Sequence, residues 1–241
     1  MRRTGNGAVA AGLAAALATA APAGERLTAA YELHLGGVKL ADLSLSARLT
    51  QAGYEARAEL ETSGFVKRFV RAGFRAEAEG RRAGAELVPV SFSADAFDSA
   101  KRQTVEIRFG AGRPQAVRAE PPFKPKPWEI DPSRQSGAVD PLTAALALFR
   151  PQPRESLCAR SVEAFDGRKR TRLSLRDPEP EGAAIRCEGV YERVAGFKPK
   201  QMEEPEFPLT VWFARDGDGA WRLARASAPT RLGIATLRRA R

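Results

Sequence analysis

Histidine occurs once among the 241 residues, at His34, and cysteine and methionine occur only twice each. A hydrolytic triad needs a base beside its nucleophile, most often histidine. His34 lies alone on an alternating strand pattern, predicted to face outward, with no serine or cysteine motif near it. Two cysteines and one distant histidine also fall short of a tetrahedral zinc set. Glu203, Glu204 and Glu206 are the best carboxylate group for acid–base work, but "MEEPEFP" reads as a loop carrying a solvated acidic patch. "DGDG", Asp216 to Gly219, lacks the later oxygen ligands of a calcium loop and reads as a hairpin turn. Gly110-Ala111-Gly112 is far too short for a dinucleotide fingerprint. No catalytic constellation, metal or cofactor is expected. Aromatics do not alternate with basic residues, so a stacking platform for single-stranded nucleic acid is also missing.

What is present begins at the N-terminus. Arg2 and Arg3 precede an Ala/Leu/Val run from Ala8 to Ala21, which closes on Ala21-Pro22-Ala23. A charged start, an apolar stretch and an A-x-A site are the pattern of a secretory signal peptide. The run is shorter than the roughly 20 apolar residues of a membrane span, and alanine is weakly apolar, which disfavours a retained anchor. Cleavage after Ala23 makes 1–23 a signal peptide and 24–241 a single exported β domain. Losing Arg2 and Arg3 takes the net charge from +10 to +8. An exported basic chain meets anionic lipid, acidic polysaccharide or counterions rather than nucleic acid. In an oxidising compartment the even cysteine count predicts one disulfide, Cys158–Cys187.

The dominant period is two. "YEARAELET" places Tyr54, Ala56, Ala58, Leu60 and Thr62 on one face and Glu55, Arg57, Glu59 and Glu61 on the other. That is a half-buried antiparallel strand. Tyr31, Leu33 and Leu35 behave alike, and Gly36-Gly37 turns the chain into "VKLADLSLSARL". There the apolar parity slips, which predicts a β-bulge near Ala41. Ala72, Phe74, Ala76 and Ala78 share a face, as do Val88, Val90 and Phe92, and Gln103, Val105, Ile107 and Phe109. Pro89 predicts an edge or a strand start.

The pattern breaks at "EPPFKPKPWEIDPSRQSG", where five prolines forbid regular pairing and predict a long surface loop. Its aromatics Phe123 and Trp128 are candidates for a ligand lid or for a staple holding the loop to the body. "DPLTAALALF" follows, with Asp140 as cap, Pro141 at the first helical position, and Leu142, Ala145, Leu146 and Phe149 at helical spacing. A single apolar helix among strands packs on the inner face of a sheet. Leu142, Leu146 and Phe149 therefore join Phe123 and Trp128 as candidate ligand contacts. "VEAFDGRKRTRLSL" predicts a hairpin about a two-residue Asp166-Gly167 turn. On its returning strand Arg168, Arg170 and Arg172 share the solvent face, as a candidate anion-binding surface. Ile185, Cys187 and Tyr191 share a parity, and "FPLTVWFARDGDGAWRLARA" and "RLGIATL" complete the strands.

These blocks, "VDPLTAALALF", "VEAFDGRKRTRLSL", "IRCEGVYERVAGF" and "LTVWFA" with "WRLARASAPTRLGIATL", resemble in order an exported proteobacterial family, domain of unknown function 3108. The first hairpin is similar too, although Ala41 stands where a glycine is expected. The resemblance transfers no catalytic residues. It implies a mainly β fold, an incomplete β-barrel or β-spiral with one or two short helices, like the periplasmic lipoprotein carriers LolA and LolB. It also implies a periplasmic location, and the chain has no lipid-bearing cysteine near the cut. The expectation is a monomeric, non-catalytic protein holding an acyl chain or other envelope component, with peripheral membrane contact. Two rivals are a basic module for acidic polysaccharide or lipid A phosphates, and an interaction protein whose sheet edge receives a partner strand.

Overall fold

The computed structural model describes residues 24–240, and the proposed signal peptide lies outside them. Thirteen antiparallel strands form one curved sheet that does not close into a barrel. The first seven are β1 (Glu25–Leu35), β2 (Val38–Leu49), β3 (Gly53–Thr62), β4 (Gly73–Ala83), β5 (Glu86–Phe97), β6 (Arg102–Gly110) and β7 (Arg113–Glu120). Helix α1 (Pro141–Phe149) follows, then β8 (Arg160–Phe165), β9 (Arg170–Glu181), β10 (Ala184–Ala195), the short helix α2 (Pro199–Met202), β11 (Glu206–Arg215), β12 (Trp221–Thr230) and β13 (Gly233–Arg239). The spatial order is β7-β6-β5-β4-β3-β2-β1-β13-β12-β11-β10-β9-β8. Each half of the chain is thus an uninterrupted meander, and the halves are joined by strand pairing only where β1 meets β13.

Alternation makes these strands. In β3, Tyr54, Ala56 and Ala58 are buried and the intervening charges are exposed. Outward, Arg57 meets Glu77, and Arg75 meets Glu59 and Glu61. Such solvated pairs add little stability, and they keep the outer face wet. The predicted bulge in the first hairpin is present: Leu33 pairs with Ala41 and His34 with Lys39, which leaves Leu40 as the extra residue. His34 does share the outer side with Glu32, but it is half-buried, and its Nδ1 has no partner.

Three local expectations need correction. Val90 is itself a bulge between the Pro89–Gly80 and Ser91–Glu79 pairs, so it faces solvent and Leu87, not Val88, shares the interior with Phe92. Pro89 lies in an internal strand, yet in a stretch that β6 no longer reaches, since their pairing stops at Ser91. The β8–β9 turn spans four residues, 166–169, because Phe165 pairs with Arg170. Asp166 Oδ1 accepts from the backbone N–H of Arg168 at 2.9 Å and of Lys169 at 2.8 Å, which closes the longer turn.

The two ends of the sheet approach each other without pairing. A Cβ placed at Gly167 would stand 3.0 Å from Val105 Cγ1 and 3.2 Å from Val117 Cγ1, so the β8–β9 turn sits down on β6 and β7. The strap between β7 and α1 covers the gap. Gly137 N–H donates to the Gly112 carbonyl, and Val139 forms a parallel bridge with Ala164 of β8. At the opposite junction the buried Tyr31 hydroxyl donates to the Leu223 carbonyl at 3.0 Å, reaching from β1 to β12 past β13. Tyr31→Phe orphans that carbonyl and should cost about 1–3 kcal/mol, read as a lower urea midpoint with an unchanged m-value. A loss below the error of the fit would show that the bond contributes nothing.

The disulfide joins Cys158, just before β8, to Cys187 in β10, with Cα atoms 5.4 Å apart. It ties the helix-to-hairpin connection to the sheet, as the sequence predicts.

Candidate functional site

The inner face of β2–β6 is built in register from small side chains. Leu45, Ala58, Ala76, Ala94 and Val105 are paired across five neighbouring strands. The next row is Ala47, Ala56, Ala78, Phe92 and Ile107, and the row on the other side runs Leu43, Leu60, Phe74, Ala96 and Gln103. Cross-strand neighbours stand about 4.5–5.5 Å apart, so a run of adjacent alanines leaves a trough that larger side chains would fill. Helix α1 lies over it. Between them is a cavity of about 470 Å³, floored by Ala58, Ala76, Ala94 and Phe92, roofed by Leu142, Ala145 and Phe149, with Leu43 and Phe74 at one end. Asp166, in the β8–β9 turn, is its sole ionisable lining residue among the described residues.

The helix is held at a fixed height by buried polar chemistry. Asp140 caps it, accepting from Thr143 N–H at 2.8 Å and from Thr143 Oγ1 at 2.5 Å. Thr143 Oγ1 lies 2.6 Å from the Tyr54 hydroxyl of β3, which completes a chain Tyr54 O–H to Thr143 O–H to Asp140. Tyr54 reaches this position because Gly80 on β4 has no side chain; a Cβ there would fall 2.5 Å from the Tyr54 ring. Burial pushes the Asp140 carboxyl up to about 6, against the lowering effect of its hydrogen bonds to Thr143. At the other end of α1, the Arg160 guanidinium and the Gln152 side-chain amide both donate to the Ala147 carbonyl, at 2.7 and 2.6 Å.

The candidate residues divide by this geometry. Leu142 and Phe149 line the cavity, and Phe149 also meets the Tyr31 ring edge-on at 4.8 Å. Leu146 is on the same apolar stripe, is wholly buried and packs the core without lining the cavity. Phe123 and Trp128 are not in the lining. Phe123 lies under the Arg168 guanidinium, 4.8 Å from it, and beside Gly167, while Trp128 faces Lys198 at 6.0 Å. Both aromatics contact the body from the strap. The alanines of β3, β4 and β5 are the contributors that sequence reasoning passed over. Their signal was visible as alanine at every second position in 56–58, 76–78 and 94–96.

Two of the three arginines of the candidate anion-binding surface are engaged by carboxylates of the sheet. Arg168 belongs to the turn, and Arg170 and Arg172 on β9 both clasp Glu163 of β8. Arg172 also reaches Glu192 of β10 at 2.6 Å. Burial raises the Glu163 carboxyl, but the two guanidiniums outweigh it and hold the group below the usual carboxylate range. A second cavity, of about 640 Å³ on the far side of α1, is lined by Arg150, Arg160, Glu163 and Arg170. Its cations are occupied: Arg150 by the Ala85 carbonyl, Arg160 by Ala147 and Ser156, Arg170 by Glu163 and Ser136.

Among the described residues no three His, Cys, Asp or Glu side chains gather as a metal site. Asp216 and Asp218 hold Arg222, and Asp216 also holds Arg239. Tyr191, placed inward by its parity, is 38 % exposed within β10.

No curated protein and no solved structure matches the chain, so the likeness to LolA and LolB has no structural match behind it. A family model described as "Protein of unknown function (DUF3108)" matches residues 30–238, nearly the whole described chain and in line with the resemblance of its sequence blocks. The chain belongs to the DUF3108 family.

Proposed function

We propose that this is a non-catalytic periplasmic protein that shelters an acyl chain, or a comparably slender apolar part of an envelope component, between α1 and the alanine face of β2–β6. The cavity of about 470 Å³ carries the reading, since small-molecule sites typically span about 300–1,000 Å³ and are mostly apolar with few polar groups. Its floor is a row of adjacent alanines crossing three strands, a surface suited to a chain rather than a ring system. The leader pattern of residues 1–23 supports export to the compartment where such components are handled. The occupied arginines remove the main support for an acidic-polysaccharide module.

The test is uptake of a fluorescent fatty acid, together with native mass spectrometry of protein purified from the periplasm. Ala76→Leu and Ala94→Leu extend side chains into the trough without adding charge. The wild type should take up the probe, and the double variant should bind it at least tenfold more weakly while melting cooperatively. A wild type that neither carries lipid nor takes up the probe, or a filled variant that binds unchanged, would sink the proposal.

A further inference from the structure

Among the described residues, large apolar side chains are exposed in one place above all others, the loop from Ser63 to Ala72 and the two turns beside it. Phe65 is 67 % exposed and Phe69 70 %, with Val70 at 46 %. Leu232 is 81 % exposed, and Ile234 and Val38 more than half. These residues belong to one end of adjoining strands. Ser63 N–H donates to the Leu40 carbonyl of β2, and Gly36 N–H donates to the Ile234 carbonyl of β13. The β3–β4 loop, the β1–β2 turn and the β12–β13 turn therefore make one continuous rim.

The loop is built rather than slack. A 3-10 turn at Val66–Arg68 is closed by Phe69 N–H to the Val66 carbonyl at 3.0 Å. Thr62 Oγ1 donates to the Val70 carbonyl and accepts from Ala72 N–H, and Arg71 N–H reaches Ser99 Oγ in the next turn. The Phe65 and Phe69 rings stand edge to face at 4.8 Å, held out together rather than folded under. An ordered loop that presents two phenyl rings to water indicates a surface that is covered in use.

The charge around these rings selects the cover. Arg68, Arg71 and Arg231 make no ion pair among the described residues, and Lys67 has only a 3.7 Å contact with Glu61. Lys39, also at the rim, is neutralised by Glu32 and Asp42. On the outer face of β3 and β4, Arg57 and Arg75 are paired to carboxylates across strands. Arg48 and Arg108 stand exposed without a carboxylate among the described residues, but also without an exposed phenylalanine beside them. Here unpaired cations flank exposed phenylalanine and aliphatic side chains. Apolar groups to enter the acyl boundary, with basic groups beside them for phosphate headgroups, are the composition of an interfacial membrane anchor.

We propose that this rim docks the protein on an anionic lipid bilayer, with Phe65, Phe69, Leu232 and Ile234 entering the interface and Arg68, Arg71 and Arg231 meeting lipid phosphates. This does not depend on the cavity holding an acyl chain, although Phe74 of the cavity lies only four residues past Val70. The proposal is read on vesicles. The full chain is sedimented with vesicles of phosphatidylcholine alone, or containing phosphatidylglycerol at about one third, beside Phe65→Ser/Phe69→Ser and Arg68→Gln/Arg71→Gln/Arg231→Gln variants. Contributions from residues outside the rim are common to all of them. The wild type should bind the anionic vesicles at least tenfold more strongly than the neutral ones. Each variant should lose at least tenfold on anionic vesicles, the arginine variant losing most of its salt dependence. A Phe69→Trp variant should show a blue-shifted emission on anionic vesicles. Absence of wild-type binding, equal binding by the serine and glutamine variants, or an unshifted emission from vesicle-bound Phe69→Trp protein would each overturn it.

Discussion

Replacing Cys158 and Cys187 together by alanine should lower the unfolding free energy by roughly 3–4 kcal/mol, from the loop-entropy relation applied to a sequence separation of 29. Against a total of about 5–15 kcal/mol for a typical domain, this is a large fraction. The bond closes on residues that are themselves core: Leu157 and Cys187 are 0 % exposed and Cys158 3 %. Releasing it frees the segment that carries Gln152 and Arg160, the two donors at the C-terminal end of α1. The effect should therefore include loosening of the helix as well as entropy in the unfolded chain. Equilibrium urea unfolding of oxidised protein and the double variant measures it. A difference under about 1 kcal/mol would mean the constraint is already supplied by the pairing of β9 with β8 and with β10.

The second large effect is a dependence on pH in an unusual direction. Asp140 is raised to about 6 when folded and returns to near 3.9 when unfolded. Between those values the folded protein binds the extra proton, so stability falls as pH rises through about 4 to 6. A shift of this size is worth roughly 3 kcal/mol, fully present below about pH 4 and lost above about 6. Glu163, lowered by Arg172 and Arg170, acts in the opposite sense, its stabilisation being lost as pH falls through its folded value. The wild-type profile is a sum of these, and Asp140→Asn isolates the first. The neutral side chain keeps an oxygen for Thr143 N–H, so the cap survives, and the difference between the two profiles should carry the 4-to-6 slope. Parallel profiles across that range would show that the Asp140 carboxyl is not raised by burial.

Much of the architecture was legible because period-two burial is written residue by residue. Tyr54, Ala56 and Ala58 against Glu55, Arg57 and Glu59 define both faces of β3 without reference to the rest of the chain. Even the Leu40 bulge showed itself as a parity slip. The strand at Arg113–Glu120 went unforeseen for the same reason in reverse. Gln115 is a bulge between the Phe109–Pro114 and Arg108–Ala116 pairs, so buried Pro114 and half-buried Val117 do not alternate. Val90 hid the inward role of Leu87 in the same way. The fate of Arg170 and Arg172 depended on Glu163 and on Glu192 twenty residues away, a pairing that only register decides. The trough was the hardest to read, since an alanine facing inward looks the same in one strand whether its neighbours are alanine or leucine. Only when Ala58, Ala76 and Ala94 stand side by side does their smallness become a space.

The seam between β1 and β13 has a consequence for how the molecule comes into being. Every other strand pair joins neighbours in the chain, so each meander can zip locally as it emerges. The second partner of the first strand is the last strand of the sheet to be made. Until it arrives, β1 presents an unpaired edge to whatever surrounds it, and the newborn chain is two unfastened ribbons waiting on a single stitch.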